Sequence, residues 1–118
     1  MSAALEKLAT LTPVGYRDVP PQAIAVAGAD VRVIDVREPN EWSGELGHII
    51  RAELVPLATL PAQAATWNRD ATYIMVCRSG ARSGRAATAM LGMGFTDVYN
   101  MAGGMMAYRA ANLPTSRG

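Results

Sequence analysis

The chain has 118 residues, of which half are apolar and 18% are charged, and its formal net charge is +1. These values are typical of one globular domain, and they argue against a disordered chain and against binding to nucleic acid or an anionic membrane through a large overall charge. With one cysteine and one histidine, the chain has the residues for neither an intrachain disulfide nor a Cys/His zinc site.

The start of the chain, Met-Ser-Ala-Ala-Leu-Glu-Lys, places no basic stretch before an apolar one, so we expect no signal peptide. The sequence has no run of about 18 apolar residues that would span a bilayer. These features predict a cytoplasmic protein that contacts neither membrane nor nucleic acid, with one domain over residues 1–118. Residues 1–11 are expected to form an N-terminal arm or a short helix.

The first half of the chain predicts one strong strand among shorter elements. Residues 31–36 are a β-branched run that is typical of a buried strand. Before it, residues 12–14 are expected to begin a short edge strand, and the prolines at 20–21 suit the first turn of a helix that Gly28 ends. Three weaker elements are expected after it: a turn into a short helix over 38–42, a strand over 52–55, and a mostly helical segment over 57–67 that Pro61 interrupts.

The second half alternates clearly between strand and helix. Residues 71–76 predict a second buried strand, and residues 81–93 predict an alanine-rich helix with glycines at its end. A short strand over 97–100 and a last helix over 105–111 are expected on either side of a glycine pair. Because strands and helices alternate, the sequence predicts an α/β sandwich in which helices flank a mostly parallel central sheet.

Cys77 stands at the point where the strand over 71–76 ends and before the helix over 81–93 begins. In open α/β sheets, ligands bind in the crevice at the carboxyl ends of the strands. A loop that leads into a helix N-terminus directs backbone N–H groups, and the positive end of the helix dipole, towards its centre. Both effects favour an anion there, and we expect them to lower the pKa of the Cys77 thiol below its usual value of about 8.5.

The charges near this loop indicate an anion site. No acidic residue lies between Asp70 and Asp97, whereas Arg78, Arg82 and Arg85 are all present. Arginines at a helix start are unfavourable with respect to the helix dipole, and a bound anion would offset that cost. For Arg85, an ordinary solvated position on the helix is an equally good interpretation.

The small and polar residues of the loop suit a tight cradle. Ser79 and Ser83 carry hydroxyl donors, Gly80 permits a positive φ, and Ala81 adds little bulk. A lone cysteine is more often a buried, inert side chain, but such a cysteine does not require arginines and a glycine beside it. We therefore predict Cys77 as the nucleophile, with substrate-binding groups listed as Arg78, Ser79, Gly80, Ala81, Arg82 and Ser83.

The segment Cys77-Arg78-Ser79-Gly80-Ala81-Arg82-Ser83 resembles the active-site loop of single-domain rhodaneses. The resemblance extends over residues 12–114, with the family's motifs in the family's order. These motifs are Val33-Ile34-Asp35-Val36-Arg37-Glu38 with Glu41-Trp42, Gly47-His48-Ile49, Gly94-Phe95, Val98-Tyr99-Asn100, Gly103 to Tyr108, and Asn112-Leu113-Pro114. Two positions depart from the family pattern: Ile50-Arg51 stands where a small Gly-Ala pair is usual, and Asn112 stands where glycine is common.

The resemblance implies a three-layer rhodanese-like sandwich and a thiosulfate:cyanide sulfurtransferase without a cofactor. The Cys77 thiolate would accept a sulfur atom from a small anionic donor and pass it to a thiol, cyanide or protein acceptor. Arg78 and Arg82 would bind or steer the donor. Asp35 and Arg37 are expected to anchor a loop near the site, and His48 is expected to be structural, because a preformed thiolate needs no general base.

Two other functions stay open. A cysteine phosphatase or arsenate reductase shares this loop position, but its signature needs five residues between cysteine and arginine, and here four separate Cys77 from Arg82. The other is a regulatory module or sulfur relay with little turnover of thiosulfate. Met101, Met105 and Met106 would favour a partner surface if they lay near the mouth of the site, although core packing is the commoner role of methionine.

Overall fold

The sheet that carries the Cys77 loop contains six strands, in the order β1-β2-β7-β6-β3-β5. A computed structural model describes residues 3–118. Neighbouring strands of this sheet run parallel, except that β1 and β2 are antiparallel. The strands are β1 (Thr10–Leu11), β2 (Arg17–Val19), β3 (Arg32–Asp35), β5 (Glu53–Leu54), β6 (Thr72–Val76) and β7 (Asp97–Met101). A separate antiparallel pair joins β4 (His48–Ile49) to β8 (Thr115–Ser116).

Helices cover both faces of the sheet. They are α1 (Ala3–Glu6), α2 (Ala23–Val26), α3 (Pro39–Trp42), α4 (Leu60–Ala64) after a 3₁₀ turn at Leu57–Thr59, α5 (Ala81–Gly92) and α6 (Gly104–Ala110). None of the helices formed by residues 3–118 combines the length and the hydropathy that crossing a bilayer requires.

The alternation of side chains along β6 explains why the fold has three layers. Successive residues of a strand point to opposite faces, so Tyr73, Met75 and Cys77 pack with α4 and α5, whereas Ile74 and Val76 pack on the other side. The first core cluster contains side chains of α1, α2 and α6, and the second contains side chains of α4 and α5. Burial on both faces accounts for the continuous apolar run of this strand. The expected three-layer α/β sandwich with a mostly parallel sheet is confirmed.

The strong elements of the sequence lie where they were predicted. The runs 31–36, 71–76 and 97–100 contain β3, β6 and most of β7, and the segment 81–93 contains α5. The helix expected within residues 1–11 is α1, while Met1 and Ser2 lie outside the described residues. Asn112 adopts a φ of 58°, the left-handed conformation that also explains why glycine is common there.

The edge of the sheet near the N-terminus differs from the prediction. Residues 12–14 do not begin a strand; they form the turn that joins β1 to β2. Thr12 fixes this turn, because its backbone N–H and its hydroxyl both donate to the carbonyl of Tyr16, at 2.9 and 2.7 Å. The edge strand is therefore β1, two residues earlier.

The segment 57–67 differs in its details. It divides into a 3₁₀ turn and α4, and Pro61 lies in the first turn of α4 instead of interrupting a helix. A proline is tolerated there because the N–H that it lacks would have no partner within the helix. Ile50 and Arg51, which depart from the family pattern, form a turn. The Arg51 side chain fixes this turn by donating to the carbonyls of Ala27, Gly28 and Val31.

The parallel direction of the central strands collects the chemistry at one edge. Asp35 pairs in register with Val76, and Met75 pairs in register with Asn100. The ends of β3, β6 and β7 therefore lie side by side, and Cys77 follows the middle one. This is the crevice at which open α/β sheets bind ligands.

Candidate active site

The turn from β6 into α5 is built on Gly80. Gly80 has a φ of 102°, the conformation that glycine adopts without strain, and it caps α5. A Cβ atom at this position would lie 3.3 Å from the backbone nitrogen of Gly103. The positive φ expected from the sequence is confirmed, and the close approach of Gly103 leaves little room for a larger residue.

The Cys77 sulfur receives hydrogen bonds from the start of α5. The backbone N–H of Gly80 donates to Sγ at 3.1 Å, and the Ser83 hydroxyl lies 3.2 Å from Sγ. Burial of the thiol opposes its ionisation, but the Ser83 hydroxyl and nearby backbone N–H groups favour the thiolate and hold the pKa of Cys77 below its ordinary value. Those N–H groups belong to Ser83, Gly80 and Ser79. The sulfur therefore lies among hydrogen-bond donors that favour its anionic form.

The loop backbone is held from behind by α6. The N–H groups of Met105 and Met106 donate to the carbonyls of Cys77 and Arg78, at 2.8 and 3.0 Å. Gly104 makes this approach possible, because a Cβ atom there would overlap the Arg78 carbonyl group. With the carbonyls engaged by α6, the N–H groups of the loop stay free to face the sulfur.

Arg82 is paired with an acidic residue from another element. Its guanidinium donates to both carboxylate oxygens of Glu41 on α3, at 2.7 and 2.8 Å. These hydrogen bonds from Arg82 are the main reason why the pKa of Glu41 falls to about 2. The loop consequently has less unpaired positive charge than the acid-free stretch of sequence around it indicated.

The other two arginines are exposed. Arg78 lies on the loop and makes no ion pair within residues 3–118. Arg78 lines a small pocket of about 120 Å³ together with Glu41 and Arg37. Arg85 lies one turn into α5 and, with Tyr16, lines a different surface depression. Of the three arginines, Arg78 is the one that is both free and on the loop.

Asp35 and Arg37 have the anchoring role expected of them. Both are buried, and Arg37 forms an ion pair with Asp35 at 2.8 Å. The same guanidinium donates to the carbonyls of Gly47 and Glu41, at 2.7 and 3.3 Å. Arg37 thereby fixes the β3–α3 connection, and with it the helix that carries the partner of Arg82.

His48 belongs to a packed pair instead of the thiol site. Its ring stacks on Trp42, with centroids 3.6 Å apart, and its Nδ1 lies 2.9 Å from the Trp42 carbonyl oxygen. Two of the methionines considered for a partner surface, Met101 and Met105, are core residues, whereas Met106 is half exposed.

Asn100, on β7, contacts the Cys77 loop, although the sequence did not predict it as a site residue. Its Oδ1 lies 2.5 Å from the Ser83 hydroxyl, and its Nδ2 donates to Asp18 Oδ1 at 3.0 Å. The position could have been found from the rule that strand ends meet at one edge, because Asn100 lies near the end of β7. The contact with Ser83 links β7 to the cradle around Cys77.

Comparison with known proteins gives the family. The family profile described as "Rhodanese-like domain" matches residues 22–111. The chain is 41% identical over 73 residues to the uncharacterized protein YqhL of Bacillus subtilis, covering 62% of this chain and 56% of YqhL. It is 37% identical over 82 residues to GlpE of Pseudoalteromonas translucida, named a thiosulfate sulfurtransferase, covering 70% of this chain and 76% of GlpE.

The solved structures agree on the fold. A rhodanese-related protein of Thermoplasma volcanium superposes with a TM-score of 0.78 at 24% identity, covering 87% of this chain and 100% of that one. The chain spans from about a quarter to about half of the length of several curated relatives that it matches, from 26% to 56%. The family profile nevertheless covers most of the sequence, and this chain belongs to the rhodanese-like domain family.

Proposed function

We propose that this protein is a sulfurtransferase that accepts a sulfane sulfur on Cys77 and passes it to a thiophilic acceptor. The observation that carries the proposal is the environment of Cys77 Sγ at the start of α5, where hydrogen bonds hold the pKa of the thiol below its ordinary value. The thiolate is the nucleophilic form of cysteine. Relatives named as sulfurtransferases, GlpE among them, support the same class of reaction.

In the first half-reaction, the Cys77 thiolate attacks the outer sulfur of thiosulfate or a similar donor. The new bond joins Sγ to that sulfur, the bond to the sulfonate sulfur breaks, and sulfite leaves with the electron pair. In the second half-reaction, cyanide or a thiolate attacks the outer sulfur of the Cys77 persulfide and regenerates the Cys77 thiolate. Two such displacements predict ping-pong kinetics.

The cradle residues have distinct parts in this proposal. Arg78 is exposed and unpaired within residues 3–118, so it meets the anionic donor. The backbone N–H groups from Ser79 to Ser83 hold the negative charge on sulfur in both half-reactions. Two N–H groups of the Arg82 guanidinium donate to Glu41. Any contact of Arg82 with the sulfur donor therefore uses its remaining N–H groups.

A sulfur relay or regulatory module is the second candidate, and a specific observation favours it. Glu41 neutralises Arg82, which weakens the attraction of the loop for a small dianion such as thiosulfate. A partner protein that delivers sulfur directly would make attraction of a free dianion unnecessary.

A cysteine phosphatase or arsenate reductase is disfavoured. The loop has four residues between Cys77 and Arg82, one fewer than the phosphatase signature requires. Arg82 is also bound to Glu41, whereas phosphoryl transfer needs an arginine that holds the transferred group.

Intact-mass measurement after incubation with thiosulfate tests the proposal. The wild-type chain should gain the mass of one sulfur atom, and Cys77→Ser should gain none while keeping the fold. Cyanide should then remove the added sulfur and release thiocyanate. Sulfur loading from a persulfidated protein but not from thiosulfate would favour the relay, and hydrolysis of an aryl phosphate without sulfur loading would contradict both.

A further inference from the structure

Asn100, Ser83 and Cys77 form a buried chain of polar contacts in which a single hydrogen has two competing acceptors. The Ser83 oxygen lies 2.5 Å from Asn100 Oδ1 and 3.2 Å from Cys77 Sγ. Ser83 is 0% exposed and Asn100 is 5% exposed. A serine hydroxyl carries one hydrogen, so Ser83 can donate to only one of these two neighbours at a time.

The orientation of the Asn100 amide is fixed by its other neighbours. Its Nδ2 faces Asp18 Oδ1 at 3.0 Å and the Gly80 carbonyl at 3.5 Å, and both are acceptors. Rotating the amide by half a turn would set its oxygen against these two acceptors. The oxygen of Asn100 therefore faces Ser83, and it has no hydrogen to offer.

Two oxygen atoms at 2.5 Å need a hydrogen between them, and Ser83 is the residue of this pair that can supply it. In that arrangement the lone pairs of Ser83 face Sγ and accept from the Cys77 thiol. When the thiol ionises, Ser83 can help the thiolate only by turning its hydrogen away from Asn100. Asn100 Oδ1 would then be buried without a donor, which is unfavourable.

We propose that Asn100 is a positioning residue that competes with Cys77 Sγ for the Ser83 hydroxyl hydrogen and so limits how far the hydroxyl stabilises the thiolate. The hydroxyl then stabilises the thiolate less than it would if Asn100 offered no acceptor. A thiolate that accepts fewer hydrogen bonds is more basic and more nucleophilic at the same ionised fraction. The inference rests on the proposed use of Cys77 as a nucleophile, but its test needs no sulfur donor.

The test is the pKa of Cys77 in a double-mutant cycle of Asn100→Leu and Ser83→Ala. Leucine resembles asparagine in shape and lacks the acceptor, so Ser83 becomes free to donate to the thiolate. We expect the pKa of Cys77 to fall by about one unit in Asn100→Leu. In the Ser83→Ala background, the same change should leave the pKa nearly unaltered, because the hydrogen in question is absent.

The measurement is the ultraviolet absorbance of the thiolate during a pH titration, with each trace corrected by the matching Cys77→Ser protein to remove the tyrosine signal. Cys77 is the single cysteine, so the signal belongs to one group. The surrounding charged side chains stay constant through the cycle: Asp18, Asp35, Arg37, Glu41, Arg78 and Arg82.

Asp18→Asn is the control for charge. It keeps Asn100 and Ser83 in place and removes the negative charge behind them, and its effect on the pKa should be smaller than that of Asn100→Leu. An equal effect in both variants would overturn the proposal, as would an equal shift with and without Ser83 or a shift to higher pKa in Asn100→Leu. If Asn100→Leu does not fold, Asn100→Ala is titrated in the same cycle, and the same outcomes decide.

The rate of alkylation of Cys77 provides a second test. A purely structural role of Asn100 would not make the effect of the substitution change direction with pH. Alkylation by iodoacetamide should be faster in Asn100→Leu than in the wild type below the wild-type pKa, because more thiolate is present. Well above both pKa values it should be about threefold slower, because the thiolate is less basic. Slower alkylation over the whole pH range would overturn the proposal.

Discussion

Arg82 and Glu41, which are 41 positions apart in the chain, form a two-point ion pair between the first turn of α5 and α3. Both oxygens of the carboxylate accept, at 2.7 and 2.8 Å, and both side chains are about three-quarters buried. Glu41 also caps α3, since its carboxylate accepts from the Glu38 backbone N–H at 3.1 Å. The pair therefore joins the loop that holds the sulfur to the helix beside it.

The pH dependence of this pair can be predicted with its sign. The pKa of Glu41 falls from 4.5 to about 2 on folding, so the pair stabilises the folded state fully above 4.5. That contribution should be lost as the pH falls through about 2. We expect Glu41→Gln to lose about 1 kcal/mol at neutral pH and the difference from wild type to vanish in acid. Denaturant unfolding at several pH values measures this, and a difference that persists at the lowest pH would contradict it.

Arg78 and Arg85 offer a matched pair for the donor site. Both are exposed arginines near the start of α5, but Arg78 lies on the loop and Arg85 does not. We expect Arg78→Ala to raise the KM for thiosulfate about tenfold, the value of one lost charge-assisted hydrogen bond. Arg85→Ala should change KM less than twofold. Steady-state cyanolysis measures both, and equal effects would remove the special role of Arg78.

Gly80 and Gly92 test the conformational demand of the loop. Gly80→Ala places a side chain at a φ of 102° and brings its Cβ to 3.3 Å from Gly103, so we expect a loss of about 1–2 kcal/mol. It should also raise the pKa of Cys77, because relief of the strain at this φ would move the backbone N–H that donates to Sγ. Gly92→Ala is the control: nothing lies within 4 Å of its Cβ position at the end of α5. That variant should be neutral or gain up to about 1 kcal/mol, and equal losses at both positions would refute the argument.

The buried pair of Asp35 and Arg37 should dominate stability near the site. Arg37→Met leaves the Asp35 carboxylate buried without its partner, so we expect a loss of about 3–5 kcal/mol. Adding Asp35→Leu to that variant should recover part of the loss.

The surface pair of Arg32 and Glu53 is the comparison for that buried pair. Its side chains are 33% and 45% exposed, and Arg32→Met should cost about 1 kcal/mol. Denaturant unfolding of the wild type, Arg37→Met, the double variant with Asp35→Leu, and Arg32→Met measures these losses of stability. A loss in Arg37→Met no larger than that in Arg32→Met would contradict the prediction.

The sequence predicted what depends on neighbouring residues. The β-branched run of β6, the alanine-rich α5 and the glycine between them are local features, so the position of Cys77 at a strand end followed directly. The bonds between Asp35 and Arg37 are also local, because only one residue separates them.

The sequence could not predict what depends on distant partners. The strands β4 and β8 have two residues each, too short to show periodicity, and their pairing joins the middle of the chain to its last residues. The sequence did not show that Arg82 is paired, because its partner Glu41 lies in another element. The part of Asn100 likewise depends on the side-chain conformation of Ser83, which no spacing rule specifies.

The docking of α6 on the carbonyls of Cys77 and Arg78 has a consequence for the proposed cycle as a whole. A thiolate and a persulfide anion each carry one negative charge, and they differ in position by a single bond length. A backbone whose dipoles are already held in place by a neighbouring helix can serve both forms without rearranging between half-reactions. Reorganisation, which flexible solvent dipoles would require twice in each turnover, has then been completed once, when the chain folded.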